Sequence, residues 1–143
     1  MDSAQDRILA IVVEILETEG YDAVQLREVA RRARMSLATI YKRYATRDEL
    51  ILAALDAWMQ QNRCSGIAPH AREPGESLYA ALMSLYRTIF EPWERHPAML
   101  TAYVRARSAP GGDALVRRGL DAVGPAMLAA MSDVDEGFIA DLD

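Results

Sequence analysis

Signals for the ends of helices recur at short intervals near the start of this chain. Gly20 follows a first amphipathic stretch and predicts the end of a helix, because a left-handed residue costs little there. Ser36 is a candidate N-cap, and Thr46-Arg47-Asp48-Glu49 is a full capping box. We therefore expect short helices up to this box and a longer helix that begins within it.

Between these boundaries the apolar residues repeat at the spacing of an α-helix. The repeats are Ile8, Val12, Ile15 and Leu16 in the first helix, Leu26, Val29, Ala30 and Ala33 in the second, and Leu37, Ile40 and Tyr44 in the third. A fourth and longer helix, about 47–62, carries apolar residues through Trp58. No strand signal interrupts the pattern, so this region is predicted to be wholly helical.

The third helix, residues 36–44, has an outward face whose composition suits DNA. Its outward positions are Ala38, Thr39, Tyr41, Lys42 and Arg43. Such small, hydroxyl, aromatic and basic side chains can contact thymine methyl groups, phosphates and guanine edges. Three short helices and a long one are also what a helix-turn-helix domain requires, with its third helix in the major groove. Residues 36–44 are therefore the predicted recognition helix.

The charge of the chain is unevenly distributed. The net charge is −5, yet the segment from Arg27 to Arg47 holds seven basic residues against the single acid Glu28. This segment carries +6 and the rest of the chain −11. A basic patch on an acidic body is typical of a protein that binds phosphates at one end, and a solvated charged surface is the alternative.

A second helical region follows a segment rich in glycine, proline and polar residues, 62–75. Helices are predicted there over 76–93, from Pro97 to 107, and over 114–131, the last bent or interrupted at Gly124-Pro125. The predicted fold is all-α. A helix-turn-helix head (1–48) precedes a helical ligand-binding and dimerisation domain (49–143), and the linking helix lies at about 47–62.

The residues of the head resemble the N-terminal domain of the TetR family of repressors over roughly the first 50 positions. The resemblance rests on Gly20-Tyr21, Val29-Ala30, Ala33, Ser36, Ala38-Thr39-Ile40-Tyr41, Tyr44 and Thr46-Arg47-Asp48-Glu49-Leu50. It implies that Tyr41, Arg47 and Gln25 contact phosphate, and that Thr39 and Lys42 face the groove. With the neighbouring polar and basic residues, the expected DNA-binding set is Gln25, Arg34, Ser36, Thr39, Tyr41, Lys42, Arg43 and Arg47.

Three residues depart from the family pattern. Arg34 stands in the turn where the family usually has glycine, Arg43 where tyrosine or histidine is commoner, and Tyr44 where phenylalanine is. A left-handed backbone at Arg34 would cost on the order of 1 kcal/mol, which a phosphate contact would offset. The DNA sequence preference is therefore expected to be individual to this chain.

The resemblance also implies a partner set. It consists of a homodimer with one DNA-reading head per subunit, a palindromic double-stranded operator, and a small-molecule effector that releases a repressor from it. TetR-like chains continue with two more long helices that pair between subunits. This sequence stops at Asp143, just after 136–142, which looks like the opening of such a helix. We therefore interpret the sequence as truncated at its C-terminal end.

The second region is similar, at 95–100 and in the 105–113 turn, to the TetR branch that includes the mycobacterial repressors of cholesterol catabolism. That similarity implies a steroid or acyl-CoA-type effector. Candidates to line an apolar pocket are Met83, Tyr86, Phe90, Trp93, Met99, Tyr103 and Met127, although such stripes are commonly core. Arg105 and Arg107 are interpreted as solvated surface, with contact to an anionic effector as the alternative.

Other classes of function find little support in the sequence. His70 and His96 have no acidic or cysteine partners at metal-ligand spacing, and Cys64 stands alone, so neither a metal nor a cofactor is expected. No nucleophile and base are paired, and no apolar run is long enough to cross a membrane. We expect a cytoplasmic regulator. A helical interaction module without DNA binding is the first alternative, and a small enzyme the second.

Overall fold

The computed structural model describes residues 3–62 and 72–131, and these ranges form α-helices joined by short turns. The helices are α1 (Ser3–Thr18), α2 (Leu26–Ala33), α3 (Leu37–Arg43), α4 (Arg47–Asn62), α5 (Leu78–Arg95), α6 (Pro97–Ala106) and α7 (Gly112–Ala130). One 3-10 turn, Tyr21–Ala23, separates α1 from α2. The predicted all-α fold is confirmed. Cys64, His70 and the segment 136–142 lie outside the described ranges.

The ends of the first helices follow the local signals in the sequence. Gly20 adopts a φ of 95° and donates its N–H to the carbonyl of Ile15 at 2.9 Å, which closes α1. At the start of α4, the hydroxyl of Thr46 accepts the N–H of Glu49 at 3.1 Å. The carboxylate of Glu49 in turn accepts the N–H of Ala45 at 3.0 Å. The predicted capping box is therefore present, with its reciprocal bond shifted by one residue.

One apolar core extends from the head into the second region through α4. The four predicted stripe residues of α1 are fully buried, and α4 contributes buried side chains on nearly every turn. The core is continued by residues of α5, α6 and α7: Trp93, Met99, Ala102, Ala106 and Leu115. Both α1 and α4 pack against α6, and α4 also packs against α7, so these two helices hold the head against the second region.

Aromatic rings join the far end of α4 to the second region. The rings of Trp58 and Trp93 lie 4.8 Å apart between centroids, and Tyr103 lies 5.1 Å from Trp93. The imidazole of His96 meets Trp58 edge-on at 5.5 Å, and its Nδ1 lies 2.8 Å from the carboxylate of Glu17. His96 stands at the junction of α5 and α6, where the sequence predicted a helix end.

The helices of the second region differ in detail from the prediction. α5 begins at Leu78 rather than at 76, because the hydroxyl of Ser77 caps it by accepting the N–H of Ala80 at 3.1 Å. α6 begins at Pro97 as predicted, where a missing N–H costs nothing.

The predicted interruption at Gly124-Pro125 is wrong. α7 begins at Gly112 rather than at 114 and continues without a break to Ala130. A proline normally disfavours the helical region at the preceding residue, yet α7 runs through Pro125 just as α5 runs through Pro92, which follows Glu91. Pro125 has no N–H to donate, so α7 lacks one helical hydrogen bond at this residue. Among residues 3–62 and 72–131, no helix is long and apolar enough to cross a membrane.

Candidate nucleic-acid interface

α2 and α3 are joined by the tight turn 34–36. Arg34 ends α2 in the left-handed conformation, with φ 56° and ψ 44°, and it is the one non-glycine residue with a positive φ in the described ranges. Met35 then donates its N–H to the carbonyl of Ala30 at 3.0 Å. The left-handed backbone that glycine would adopt most easily is thus held by an arginine, whose side chain is exposed beside α3.

Ser36 opens α3 as predicted. Its hydroxyl accepts the N–H of Thr39 at 3.1 Å and lies 2.7 Å from the hydroxyl of the same threonine. One serine therefore caps the helix and also fixes the side chain of a predicted groove-facing residue.

The two faces of α3 separate as the apolar pattern predicts. Ile40 is fully buried and Tyr44 is buried at the end of the helix. On the opposite side Tyr41 is half exposed, and Ala38, Lys42 and Arg43 are exposed. Polar and basic groups therefore cover the side of α3 that is directed away from the core.

An open groove of about 590 Å³ lies between the starts of α2 and α4 and the end of α3. It is lined by Gln25, Leu26, Arg27, Leu37, Tyr41, Ala45, Thr46 and Arg47. The structure thus brings together the three residues that the resemblance assigns to phosphate contact. Thr39, Lys42 and Arg43 lie on α3 outside this lining.

The N-terminus of α2 is open toward this groove. Gln25 precedes the helix but makes no side-chain cap, since its Nε2 donates instead to the carbonyl of Asp22 at 3.2 Å. Backbone N–H groups at such an uncapped helix start attract anions. Arg27, in the first turn of α2, adds a positive charge here. Arg27 belongs to the basic segment of the sequence but was not predicted as a site residue. Its position as the second residue of α2 could have indicated a phosphate contact, because anions bind at the start of a helix.

Arg47 has partners that the sequence did not predict. Its Nε donates to the carbonyl of Val24 and its Nη2 to the carbonyl of Tyr21, both at 2.5 Å. The guanidinium also lies 4.8 Å from the centroid of the Tyr21 ring. Arg47 therefore ties the start of α4 to the turn before α2, and only part of its hydrogen-bonding capacity remains for a phosphate in the groove.

Two of the basic residues on α2 are neutralised by acids. Glu28 accepts hydrogen bonds from Arg31 at 2.6 Å and from Arg32 at 2.8 Å, and Arg32 also bonds to Glu19 at 2.7 Å. These hydrogen bonds, first from Arg31 and then from Arg32, lower the pKa of Glu28 to about 2. Glu28 is already counted in the +6 of this segment, so only Glu19, which lies outside the segment, lowers the charge of this surface further, to +5.

Three cations of the basic segment have no acidic partner in the described part of the chain. They are Arg27 at the start of α2, Arg34 in the turn and Lys42 on α3. All three are exposed. Their charge is therefore available to phosphates. All three lie on α2, on α3 or in the turn between them.

The predicted ligand-lining residues do not form one cluster. Trp93 and Met99 are buried in the core, and Tyr103 packs on Trp93. Tyr86 and Phe90 stack on each other at 4.4 Å on the exposed side of α5. Met83 lines an open groove of about 400 Å³ along α5, and Met127 is exposed on α7.

Two family models match the chain. The model described as bacterial regulatory proteins, tetR family, matches residues 8–54. The model described as the tetracyclin repressor-like C-terminal domain matches residues 75–143. The first covers α2, α3 and the groove beside them.

Curated relatives include several repressors. The HTH-type transcriptional repressor KstR of Rhodococcus jostii is 29% identical over 133 residues, which are 90% of this chain and 60% of that protein. KstR of Mycolicibacterium smegmatis is 30% identical over 100 residues, 70% of this chain and 48% of that protein. The DNA-binding transcriptional repressor TetR of Mycobacteroides abscessus is 44% identical over 50 residues, 35% of this chain and 26% of that protein. The chain thus spans at most about 60% of the length of these relatives.

Two solved structures share the fold. A TetR transcriptional regulator from Rhodococcus sp. RHA1 superposes with a TM-score of 0.68 at 24% identity, over 98% of this chain and 75% of that one. A TetR-family transcriptional regulator from Streptomyces coelicolor gives a TM-score of 0.63 at 22% identity, over 99% and 77%. The arrangement of α1–α7 is therefore one that other chains adopt as well.

Proposed function

The chain belongs to the TetR family of bacterial regulatory proteins, and from this premise we propose that it regulates transcription by binding double-stranded DNA through α3. The observation that carries the proposal is the exposed polar and basic face of α3, near which Arg27 and Arg34 have no acidic partner among residues 3–62 and 72–131. The family consists of regulators and not of enzymes, in agreement with the sequence prediction.

The proposed contacts divide into two groups. Thr39, Lys42 and Arg43 read base edges from the major groove. Contacts to phosphate set the register on the duplex, and we assign them to Gln25, Arg27, Arg34, Tyr41 and Arg47, with Ser36 fixing the start of α3. Support for this division comes from the groove between α2, α3 and α4 and from the uncapped start of α2.

We further propose that two copies bind a palindromic operator as a homodimer, in the cytoplasm where bacterial DNA lies. Two recognition helices then enter major grooves about 34 Å apart. The relatives named as repressors favour repression as the outcome. A small effector that binds the second region opposes DNA through a coupling of roughly 1–3 kcal/mol.

For the effector we propose a molecule with a large apolar part, of steroid or acyl-CoA type. The support is the apolar and aromatic character of α5–α7, in which Trp93 and Met99 lie in the core and Tyr103 packs against it. Native mass spectrometry of the whole protein, purified from its host, tests this proposal. A co-purified sterol-like or lipid mass is expected, and a polar ligand would contradict it.

Selection of bound duplexes from a random-sequence pool tests DNA recognition. The wild-type chain is expected to enrich a palindromic sequence, whereas Lys42→Ala should relax the preference at one base step in each half-site. Arg117→Ala is the matched control, since Arg117 is an exposed cation on α7 and far along the chain from α3. Enrichment of the same sequence by all three proteins would contradict the role of Lys42, and no enrichment by the wild type would contradict the function.

A further inference from the structure

α6 touches the head at the turn that precedes α2. Arg105, in the last turn of α6, donates a hydrogen bond to the carboxylate of Asp22 at 2.8 Å, although 83 residues separate the two. Its guanidinium carbon also lies 4.1 Å from the centroid of the Tyr21 ring. Arg105 is exposed, and its pairing with the head is a contact that the sequence did not predict.

Arg47, at the start of α4, contacts the same turn. Arg47 lies over the ring of Tyr21 as well, at 4.8 Å, and bonds to the carbonyls of Tyr21 and Val24. The ring of Tyr21 thus contacts one guanidinium from α4 and one from α6. Cation–π contacts of this kind are directional, so each guanidinium limits where the ring and its backbone can lie.

The turn also holds the residue that precedes α2. Gln25 donates its side-chain amide to the carbonyl of Asp22, the residue whose carboxylate Arg105 binds. Gln25 and Arg47 both line the groove beside α3. A short chain of contacts therefore connects the end of α6 with two residues of the proposed phosphate-binding surface.

We propose that Arg105 is a positioning residue for DNA binding, a role that rests on the function proposed above. Through Tyr21 and Asp22 it sets the position of the 3-10 turn and, with it, the open start of α2. Arg105 itself makes no contact with DNA. A movement of the end of α6 would shift Tyr21 and Asp22 and, through them, the residues that line the groove.

The contact is suited to positioning rather than to holding the fold together. The side chains of Arg105 and Asp22 are 47% and 83% exposed, and ion pairs so exposed contribute little to stability. An aspartate is charged at neutral pH, so the pair is formed there, and the hydrogen bond from Arg105 lowers the pKa of Asp22 further. Removal of Arg105 is therefore expected to leave the core intact and to loosen the turn.

DNA affinity and its salt dependence together test the proposal. With a fluorescent duplex that the wild type selects, Arg105→Ala should lower affinity about fivefold, within the range reported for residues that couple sites. The slope of log affinity against log salt should change by less than in Arg27→Ala, because Arg105 itself contacts no phosphate and the contacts beside the turn are weakened but not removed. Arg27→Ala should instead make that slope shallower by about 0.9 for each head. Arg107→Ala, which removes an exposed charge two residues along, should bind as the wild type does.

Two results would overturn the role of Arg105. One is an unchanged affinity in Arg105→Ala, and the other is a slope as shallow as that of Arg27→Ala, which would mean direct contact with phosphate. Arg105→Lys keeps the charge but not the planar guanidinium, and it should fall between the wild type and Arg105→Ala.

Hydrogen exchange separates this inference from the proposed function. The amides of Ala23 and Val24 bond to the carbonyls of Gly20 and Tyr21, both at 3.2 Å, and should exchange faster in Arg105→Ala than in Arg107→Ala. If the wild type binds no duplex but this difference appears, the function fails and the restraint on the turn stands. Equal exchange in the two variants would overturn the restraint whatever the DNA results are.

Discussion

The hydroxyl of Ser36 lies 2.7 Å from that of Thr39 and accepts the backbone N–H of the same residue. The start of α3 and the side chain of a groove-facing residue are therefore fixed by one serine. Replacing Ser36 is therefore expected to lower both the stability of the head and its affinity for DNA.

Ser36→Ala should reduce the free energy of unfolding by about 1 kcal/mol, the usual cost of losing an N-cap. It should also weaken DNA binding, because Thr39 loses its partner. Ser77→Ala is the matched control, since Ser77 caps α5 with the same 3.1 Å bond but lies in the second region. Urea unfolding should show similar losses in both variants, and only Ser36→Ala should lose DNA affinity. Equal affinities in the two would contradict the double role of Ser36.

Arg47→Lys should reduce the free energy of unfolding by about 1–3 kcal/mol. A lysine keeps the positive charge but cannot bridge the carbonyls of Tyr21 and Val24 with a planar group. If Arg47 served only as a cation for phosphate, the lysine variant would be as stable as the wild type. Urea unfolding at neutral pH distinguishes the two roles.

Arg34→Gly should raise stability while it lowers DNA affinity. Relief of the left-handed backbone is worth about 1–2 kcal/mol, and the added freedom of glycine in the unfolded chain removes about 0.5–1 kcal/mol of that gain. The salt dependence of DNA binding should become shallower by about 0.9 per head if the side chain contacts phosphate. A less stable Arg34→Gly would show that the arginine side chain stabilises the turn.

Because Glu28 pairs with two arginines, we expect the free energy of unfolding to depend on pH. Because the pKa of Glu28 is lowered to about 2 from an ordinary value of 4.5, its contribution is complete above pH 4.5 and is lost as the pH falls toward 2. Glu28→Gln should therefore be less stable than the wild type at pH 7, with the difference shrinking below pH 4.5. Urea unfolding at several pH values measures this, and a difference that stays constant with pH would contradict it.

Local chemistry made much of the fold predictable. Gly20, Ser36 and Pro97 each mark a helix end where the structure has one, because caps and turns depend on a few neighbouring residues. The periodic stripe of α1 is buried in full for the same reason. The break expected at Pro125 is wrong, since α7 continues through this residue as α5 does through Pro92, and a proline alone therefore does not decide where a helix ends.

Long-range partners were beyond the sequence pattern. Arg47 bonds to carbonyls 23 and 26 residues away, and Arg105 bonds to an acid 83 residues away. In the second region both Phe90 and Trp93 were predicted to line a pocket, but Trp93 lies in the core and Phe90 is partly exposed. These contacts depend on how the helices pack against one another, and neither the spacing of apolar residues nor the composition predicts that packing.

The central claim is that the basic face around α3 binds DNA phosphates, and the salt dependence of DNA affinity tests it most directly. Fluorescence anisotropy of the wild-type chain with a selected duplex, over about 50–300 mM salt, gives the slope of log affinity against log salt. With at least Arg27 and Arg34 on phosphate in each head, the slope should be about −1.8 per head or steeper, and shallower by about 0.9 per head in Arg27→Ala. A flat response in the wild type would contradict the account and would favour an interaction module that does not bind DNA.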